Sequence, residues 1–256
     1  MSGPVQVSEL SDGRVARVLL DAGKGNVLDS SVIARLDEVF AELGERTRVR
    51  AIVLTAEGRH FSFGASVPEH VPGEVEKMLP AFHRLFRTIG RAGVPICAAV
   101  RGSCFGGGLE LALAAHRLIV AEDAKLGVPE VTLGVFPPVA AAVLPLRCAQ
   151  PAVDRLVGTG EIVGGIEAVA IGLADHVCAA EQVEEEAVRW ASRYVELSGV
   201  AVRFATRAGR SAWDEALGER LNRLEDLYLK DLMATEDAKE GIRAFMEKRK
   251  PEWKDR

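Results

Sequence analysis

The chain has 256 residues, 48% of them hydrophobic and 27% charged, with a formal net charge of −5. This balance suits one soluble globular unit with a sizeable core and does not indicate disorder. The acidic total argues against a nucleic-acid surface, which needs clustered Lys and Arg to release counterions, and leaves open only a local basic patch for a small phosphate ligand.

Taken in chain order, the first twenty residues lack the basic-then-apolar order of a signal peptide, and no later apolar run approaches the roughly 18 residues of a membrane span. A protein with no membrane partner is expected. Val15–Leu20 and Val49–Thr55 are β-branched-rich and predict strands. Between them, Val32, Ile33, Leu36, Val39, Phe40 and Leu43 recur at helical spacing and predict a helix over 30–43. A longer helix fits 74–89, with Val75, Met78, Leu79, Phe82, Leu85, Phe86 and Ile89 on one stripe and Pro80 expected to kink or split it. Pro95–Val100 then predicts a buried strand, 102–108 a turn and 109–115 a helix. The alternation gives the α/β class. From Val183 the pattern is helical to the end, with Leu221, Leu224, Leu227, Tyr228 and Leu232 forming an apolar stripe.

Chemistry concentrates in Cys104-Phe-Gly-Gly-Gly-Leu-Glu110. Three glycines entering a helix let backbone approach a ligand closely and present unpaired N–H groups to an anion or oxyanion. Alone, such a turn equally serves tight packing between a strand and a helix. Upstream, His60-Phe-Ser-Phe-Gly-Ala-Ser66 follows a predicted strand and offers a second small-residue loop. Downstream stands Lys125-Leu-Gly-Val-Pro-Glu130. Taken singly, Glu110 reads as a first-turn glutamate and Glu130 as a solvated loop acid.

In that order and at those distances, the three segments resemble the crotonase (enoyl-coenzyme A hydratase and isomerase) family, with its F-S-x-G-A-D-like, G-G-G-x-E and F-G-x-P-E segments. The likeness continues through Thr159-Gly-Glu-Ile, Ala168–Val177 and Thr235–Arg249, nearly the whole chain. The resemblance implies a spiral of β-β-α units over 1–195 holding the acyl-coenzyme A site, and a C-terminal helical region over 196–256 mediating a homotrimer or a dimer of trimers. It makes the N–H groups of Ala65 and Gly107 the oxyanion hole for the thioester carbonyl, and Glu110 and Glu130 the acid/base pair for addition of water. Keeping both glutamates favours hydration over isomerisation, thioester hydrolysis or decarboxylation. No metal or redox cofactor is implied, since coenzyme A arrives as part of the substrate. In this family the last helix brings an aromatic and a lysine to the coenzyme A nucleotide bound by a neighbouring subunit, and Phe245 and Lys248 match those places.

Several residues depart from the family pattern. Ser66 replaces the usual aspartate, Phe63 is bulky where small residues are common, and the G-x-x-P-x-x-G-G loop reads Gly134-Val-Phe-Pro-Pro-Val-Ala-Ala141. With 227–234, these segments look like the subgroup that hydrates cyclohexa-1,5-dienecarbonyl-coenzyme A; an ordinary enoyl-coenzyme A hydratase is the alternative. The acyl pocket is expected to include Phe63, Ser66, His70, Phe82, Phe86, Phe136 and Pro138, although the Phe82 and Phe86 stripe fits core equally well. The remaining histidines, His60, His83, His116 and His176, share no metal-ligand spacing and are expected to cap loops or face solvent.

Gly102-Ser-Cys-Phe-Gly106 also fits a nucleophile elbow with Cys104 in place of serine and Asp175 and His176 as partners, a distant hydrolase alternative. Cys97, Cys104, Cys148 and Cys178 form no C-x-x-C pair. A disulfide framework or cysteine zinc site is therefore not suggested, and a reducing cytoplasm is the expected location.

Overall fold

A hairpin opens the fold: β1 (Val5–Leu10) pairs antiparallel with β2 (Val15–Leu20). Its turn takes Ser11, Asp12 and Gly13 through the left-handed region, which short polar residues and glycine tolerate best. The computed structural model describes residues 3–256, so the first two residues of the expected core lie outside it. The β1 strand was not legible in the hydrophobic pattern, because only Val5 of its six residues is fully buried.

Helix α1 (Ser30–Glu45) follows, capped by Asp29, whose carboxylate accepts from Ser31 and Val32 N–H. All six residues of its expected stripe are buried. The chain then forms β3 (Ala51–Ala56), α2 (Val75–Ala92), β4 (Ile96–Val100), β5 (Ser103–Phe105) and α3 (Gly107–Leu113). Of the two effects expected of Pro80, splitting does not occur: α2 runs as one helix through it. A proline costs a helix interior about 3 kcal/mol. Phe82, Leu85, Phe86 and Ile89 follow it on the buried face, and each large apolar side chain returns about 1.5–3 kcal/mol on burial, so the helix persists. The expected 102–108 turn also needs correction: it contains β5, and the helix after it begins two residues early.

Next come β6 (Arg117–Ala121), β7 (Lys125–Gly127), α4 (Pro138–Val143), α5 (Gln150–Thr159), β8 (Ile162–Gly164), α6 (Gly165–Ala170), β9 (His176–Cys178) and α7 (Val183–Ser192). From β4 to β7 successive strands alternate between two sheets, and β9 returns to the first, which gives the spiral. A six-stranded sheet has the order β1-β2-β3-β4-β6-β9, parallel from β2 onward, and a three-stranded sheet has the order β5-β7-β8. Every residue of β3 and β4 is buried, as parallel strands covered on both faces should be.

The C-terminal region is helical but interrupted: α8 (Gly199–Gly209), α9 (Ser211–Glu215), α10 (Leu221–Asp226) and α11 (Glu236–Met246) are separated by wider turns and by a non-helical Gly218. Of the Leu221–Leu232 stripe, Leu221 and Tyr228 are buried in this same chain while Leu227 is half exposed. Helix does not reach the end. The last residues turn back, so that the Glu236 N–H donates to the Arg256 carbonyl at 2.8 Å. Among the described residues no helix is long and apolar enough to cross a membrane.

Candidate active site

Two loops meet where β3 and β5 end. In the 62–66 loop, Leu28 donates its N–H to Gly64 O at 2.9 Å and accepts from Ser66 N–H at 3.1 Å. That bridge leaves the intervening Ala65 N–H unused by its neighbours. Gly107 heads α3, where first-turn donors have no intrahelical acceptor. The two amides are close: a Cβ added to Gly107 would lie 3.1 Å from Ala65 N. Gly64 holds the loops together at φ +100°, with a hypothetical Cβ only 2.9 Å from Phe105 O and 3.4 Å from Gly107 N. Ser62 Oγ fixes the loop by accepting from Gly64 N–H and donating to Asn26 O.

Glu110 lies one turn into α3, its N–H on Gly106 O at 3.0 Å. The residue is 3% exposed, and its carboxylate accepts the Ala140 N–H at 2.8 Å. Burial pushes its carboxyl up to about 7, with the Ala140 and Val139 N–H groups pulling the other way. Glu130 enters from the short helical turn Pro129–Leu133. Its Oε1 would be 2.6 Å from a Cβ on Gly106, whose φ is +50°, so only glycine admits this carboxyl. Burial, and after it the charge of Glu110, raises Glu130 well above the usual carboxylate range. Its Oε2 is shielded and has no hydrogen-bond partner. The two like charges oppose joint ionisation, and Glu110, which accepts the Ala140 N–H, is the member that ionises more readily.

A cavity of about 80 Å³ opens beside these groups, lined by Ala65, Gly107 and Glu130 together with Phe63 and His70 from the expected set. His70 donates Nδ1–H to Ser66 O at 2.8 Å, and burial lowers its pKa, keeping the ring neutral. Phe82 closes against Gly107, its ring tip 3.2 Å from where a Cβ would stand.

Other expected lining residues sit elsewhere. Phe86 is fully buried behind Phe82, edge to face at 4.9 Å, and belongs to the core. Ser66, Phe136 and Pro138 do not line the cavity: Ser66 is held by backbone bonds, Phe136 packs tilted on Tyr228 with ring centres 5.4 Å apart, and Pro138 starts α4. Phe245 and Lys248 are exposed at the free end of α11 and outside the cavity. Sequence reasoning missed Val67, Phe105, Leu133 and Ile242, which complete the apolar wall. It also missed the Ala140 N–H that holds Glu110, although Ala140 was noticed as a departure.

His83 was expected at a loop or in solvent; it is fully buried on α2, with Nδ1 2.5 Å from Glu225 Oε2. The nucleophile elbow does not form. Cys104 lies inside β5 rather than on an exposed turn, complete burial pushes its thiol far above the usual range, and Asp175 is occupied by Arg147 and the Leu118 N–H.

Comparison with known proteins agrees with this geometry. The family model described as Enoyl-CoA hydratase/isomerase matches residues 11–256. The chain is 42% identical over 256 residues to cyclohexa-1,5-dienecarbonyl-CoA hydratase of Thauera aromatica, covering 100% of this chain and 98% of that one. It is 35% identical to a probable enoyl-CoA hydratase of Bacillus subtilis, covering 97% and 98%. The crystal structure of an enoyl-CoA hydratase/isomerase from Pseudoalteromonas atlantica superposes with a TM-score of 0.88 at 25% identity, covering 98% of this chain and 100% of that one. Two loops offering N–H groups, two buried carboxylates and full-length similarity agree, and the chain belongs to the enoyl-CoA hydratase/isomerase family.

Proposed function

We propose that this enzyme hydrates cyclohexa-1,5-diene-1-carbonyl-coenzyme A to 6-hydroxycyclohex-1-ene-1-carbonyl-coenzyme A. The observation that carries the reading is a small apolar cavity lined by Ala65, Gly107 and Glu130, with buried Glu110 close enough for its charge to raise the Glu130 carboxyl. The 42% identity to a hydratase of that substrate supports the choice of ring. The thioester oxygen accepts from the two amides, which withdraws electrons from the β-carbon. Glu110 takes a proton from water as hydroxyl adds at the β-carbon. The electron pair passes through the dienolate, whose far end takes the proton of Glu130. Each glutamate ends in its partner's starting state, and one proton exchange resets the pair. No group outside the chain and substrate is needed.

Pro138 and Ala140, which depart from the glycine-rich family loop, stiffen the element that holds Glu110. Val135 and Leu133 from the same stretch form the short apolar wall. A rigid ring should fit this space better than a flexible chain. The kcat/KM for the cyclic dienoyl thioester is therefore expected to exceed that for crotonyl-coenzyme A at least about tenfold, roughly 1.4 kcal/mol, with decenoyl-coenzyme A poorer still. If decenoyl-coenzyme A were the best substrate, the ring assignment would fail. A preference for crotonyl-coenzyme A would favour the ordinary enoyl-coenzyme A hydratase reading suggested by the Bacillus subtilis relative.

The assembly that goes with this reading is a homotrimer or dimer of trimers built through the 196–256 region. Leu197, Val200 and Phe204 are 52%, 70% and 69% exposed in and beside α8, an apolar face suited to a second copy. Phe245 and Lys248 then meet the coenzyme A nucleotide of a neighbouring site.

A further inference from the structure

Glu130 Oε2 and the Tyr228 hydroxyl are both solvent-shielded and without a hydrogen-bond partner, and Tyr228 lies within electrostatic reach of Glu130 and Glu110 although it does not line the cavity. Tyr228 is 1% exposed and follows α10, which packs on α4, the helix whose Ala140 N–H holds Glu110. Its ring lies 5.4 Å from Phe136 at the entry to that helix. One turn before it, Glu225 is clamped to buried His83 of α2, next to Phe82 at the oxyanion loop. The segment carrying the phenol is thus tied to both walls of the site. Burial and the charges of Glu130 and Glu110 raise the phenol pKa, so it stays a neutral donor throughout the working range. An unpartnered buried hydroxyl costs stability, about 1–3 kcal/mol for groups of this kind, and calls for a compensating role.

We infer that Tyr228 is a positioning residue that fixes the direction of the attacking water between Glu110 and Glu130. The idea rests on the hydration reading above. A water has two protons and two lone pairs. Bound here, it donates one proton to Glu110 and the other to Glu130 Oε2, and accepts the Tyr228 O–H on one lone pair. The remaining lone pair then points at the β-carbon. Glu130 keeps its own proton on Oε1, the oxygen against Gly106, for the far end of the dienolate. Tyr228 gains and loses no proton in the cycle.

The test is Tyr228→Phe, which keeps the ring and removes only the oxygen. Its kcat for the cyclic dienoyl thioester should fall about 10- to 100-fold, KM should change less than threefold, and the melting temperature should hold or rise. A structural tyrosine would instead lower the melting temperature and move KM, and that result overturns the inference. Unchanged kcat in Tyr228→Phe overturns it too, while wild-type hydration leaves the hydratase reading intact. Absence of hydration of any enoyl thioester by the wild-type enzyme would sink the reading and the tyrosine's role together.

Discussion

Glu110→Gln and Glu130→Gln should each lower kcat by at least about 100-fold while leaving the affinity for a saturated acyl-coenzyme A nearly unchanged. Proton transfer by a positioned side chain contributes about 10²- to 10⁴-fold, and the amide can perform neither role. Wild-type-like turnover by either variant would end the two-carboxylate account.

The same substitution at Glu110 has a signature in stability. Burial raises its carboxyl from 4.5 to about 7 in the folded state. Between those values the native protein binds more protons than the unfolded chain, so this group's contribution falls as pH rises through that window. Glutamine escapes that loss. Glu110→Gln should therefore be more stable than the wild type at pH 8, by about 3 to 4 kcal/mol at most, from roughly two and a half pKa units at about 1.4 kcal/mol each. The gain should shrink as the pH is lowered to 5. A gain independent of pH would mean that Glu110 is not held against its ionisation.

Gly64→Ala should lower kcat/KM by about 100- to 1000-fold, the range associated with losing an oxyanion donor. The reason is local. Gly64 sits at φ +100°, and its added Cβ would press on Phe105 O at 2.9 Å and Gly107 N at 3.4 Å, forcing apart the two loops that present the amides. Gly58→Ala is the control, because Gly58 has φ +79° but nothing within 4 Å of its Cβ. It should carry the strain of a left-handed alanine and retain turnover. If Gly64→Ala stayed within threefold of the wild type, the 62–66 loop would not supply a donor.

The parts of this fold and site that were legible in the sequence are those written into local chemistry. Val32 to Leu43 share one face of α1 because a buried face must repeat at the helical period. Gly106 stands before Glu110 because a positive φ and the Glu130 carboxyl both exclude a side chain there. What stayed hidden depends on chain that returns from far away. Ile242 reaches the cavity from the last helix, and Glu225 finds His83 across 142 residues. The Ala140 N–H that holds Glu110 is a backbone group and leaves no mark on residue type. The β5 strand is three residues long and exists through its pairing with β7, so no alternation within it could reveal it. Phe136 and Pro138 were expected in the acyl pocket but do not line the cavity, because sequence order does not say which residues at the start of α4 face it.

The most direct measurement is the product formed from cyclohexa-1,5-dienecarbonyl-coenzyme A in deuterated, oxygen-18-enriched water. The two-carboxylate mechanism predicts an intact thioester bearing one oxygen-18 hydroxyl at the β-carbon and one deuterium on carbon at the far end of the former diene. Free coenzyme A with oxygen-18 in a released carboxylate would identify thioester hydrolysis, and recovery of unlabelled substrate alone would show that the enzyme does not hydrate this ring.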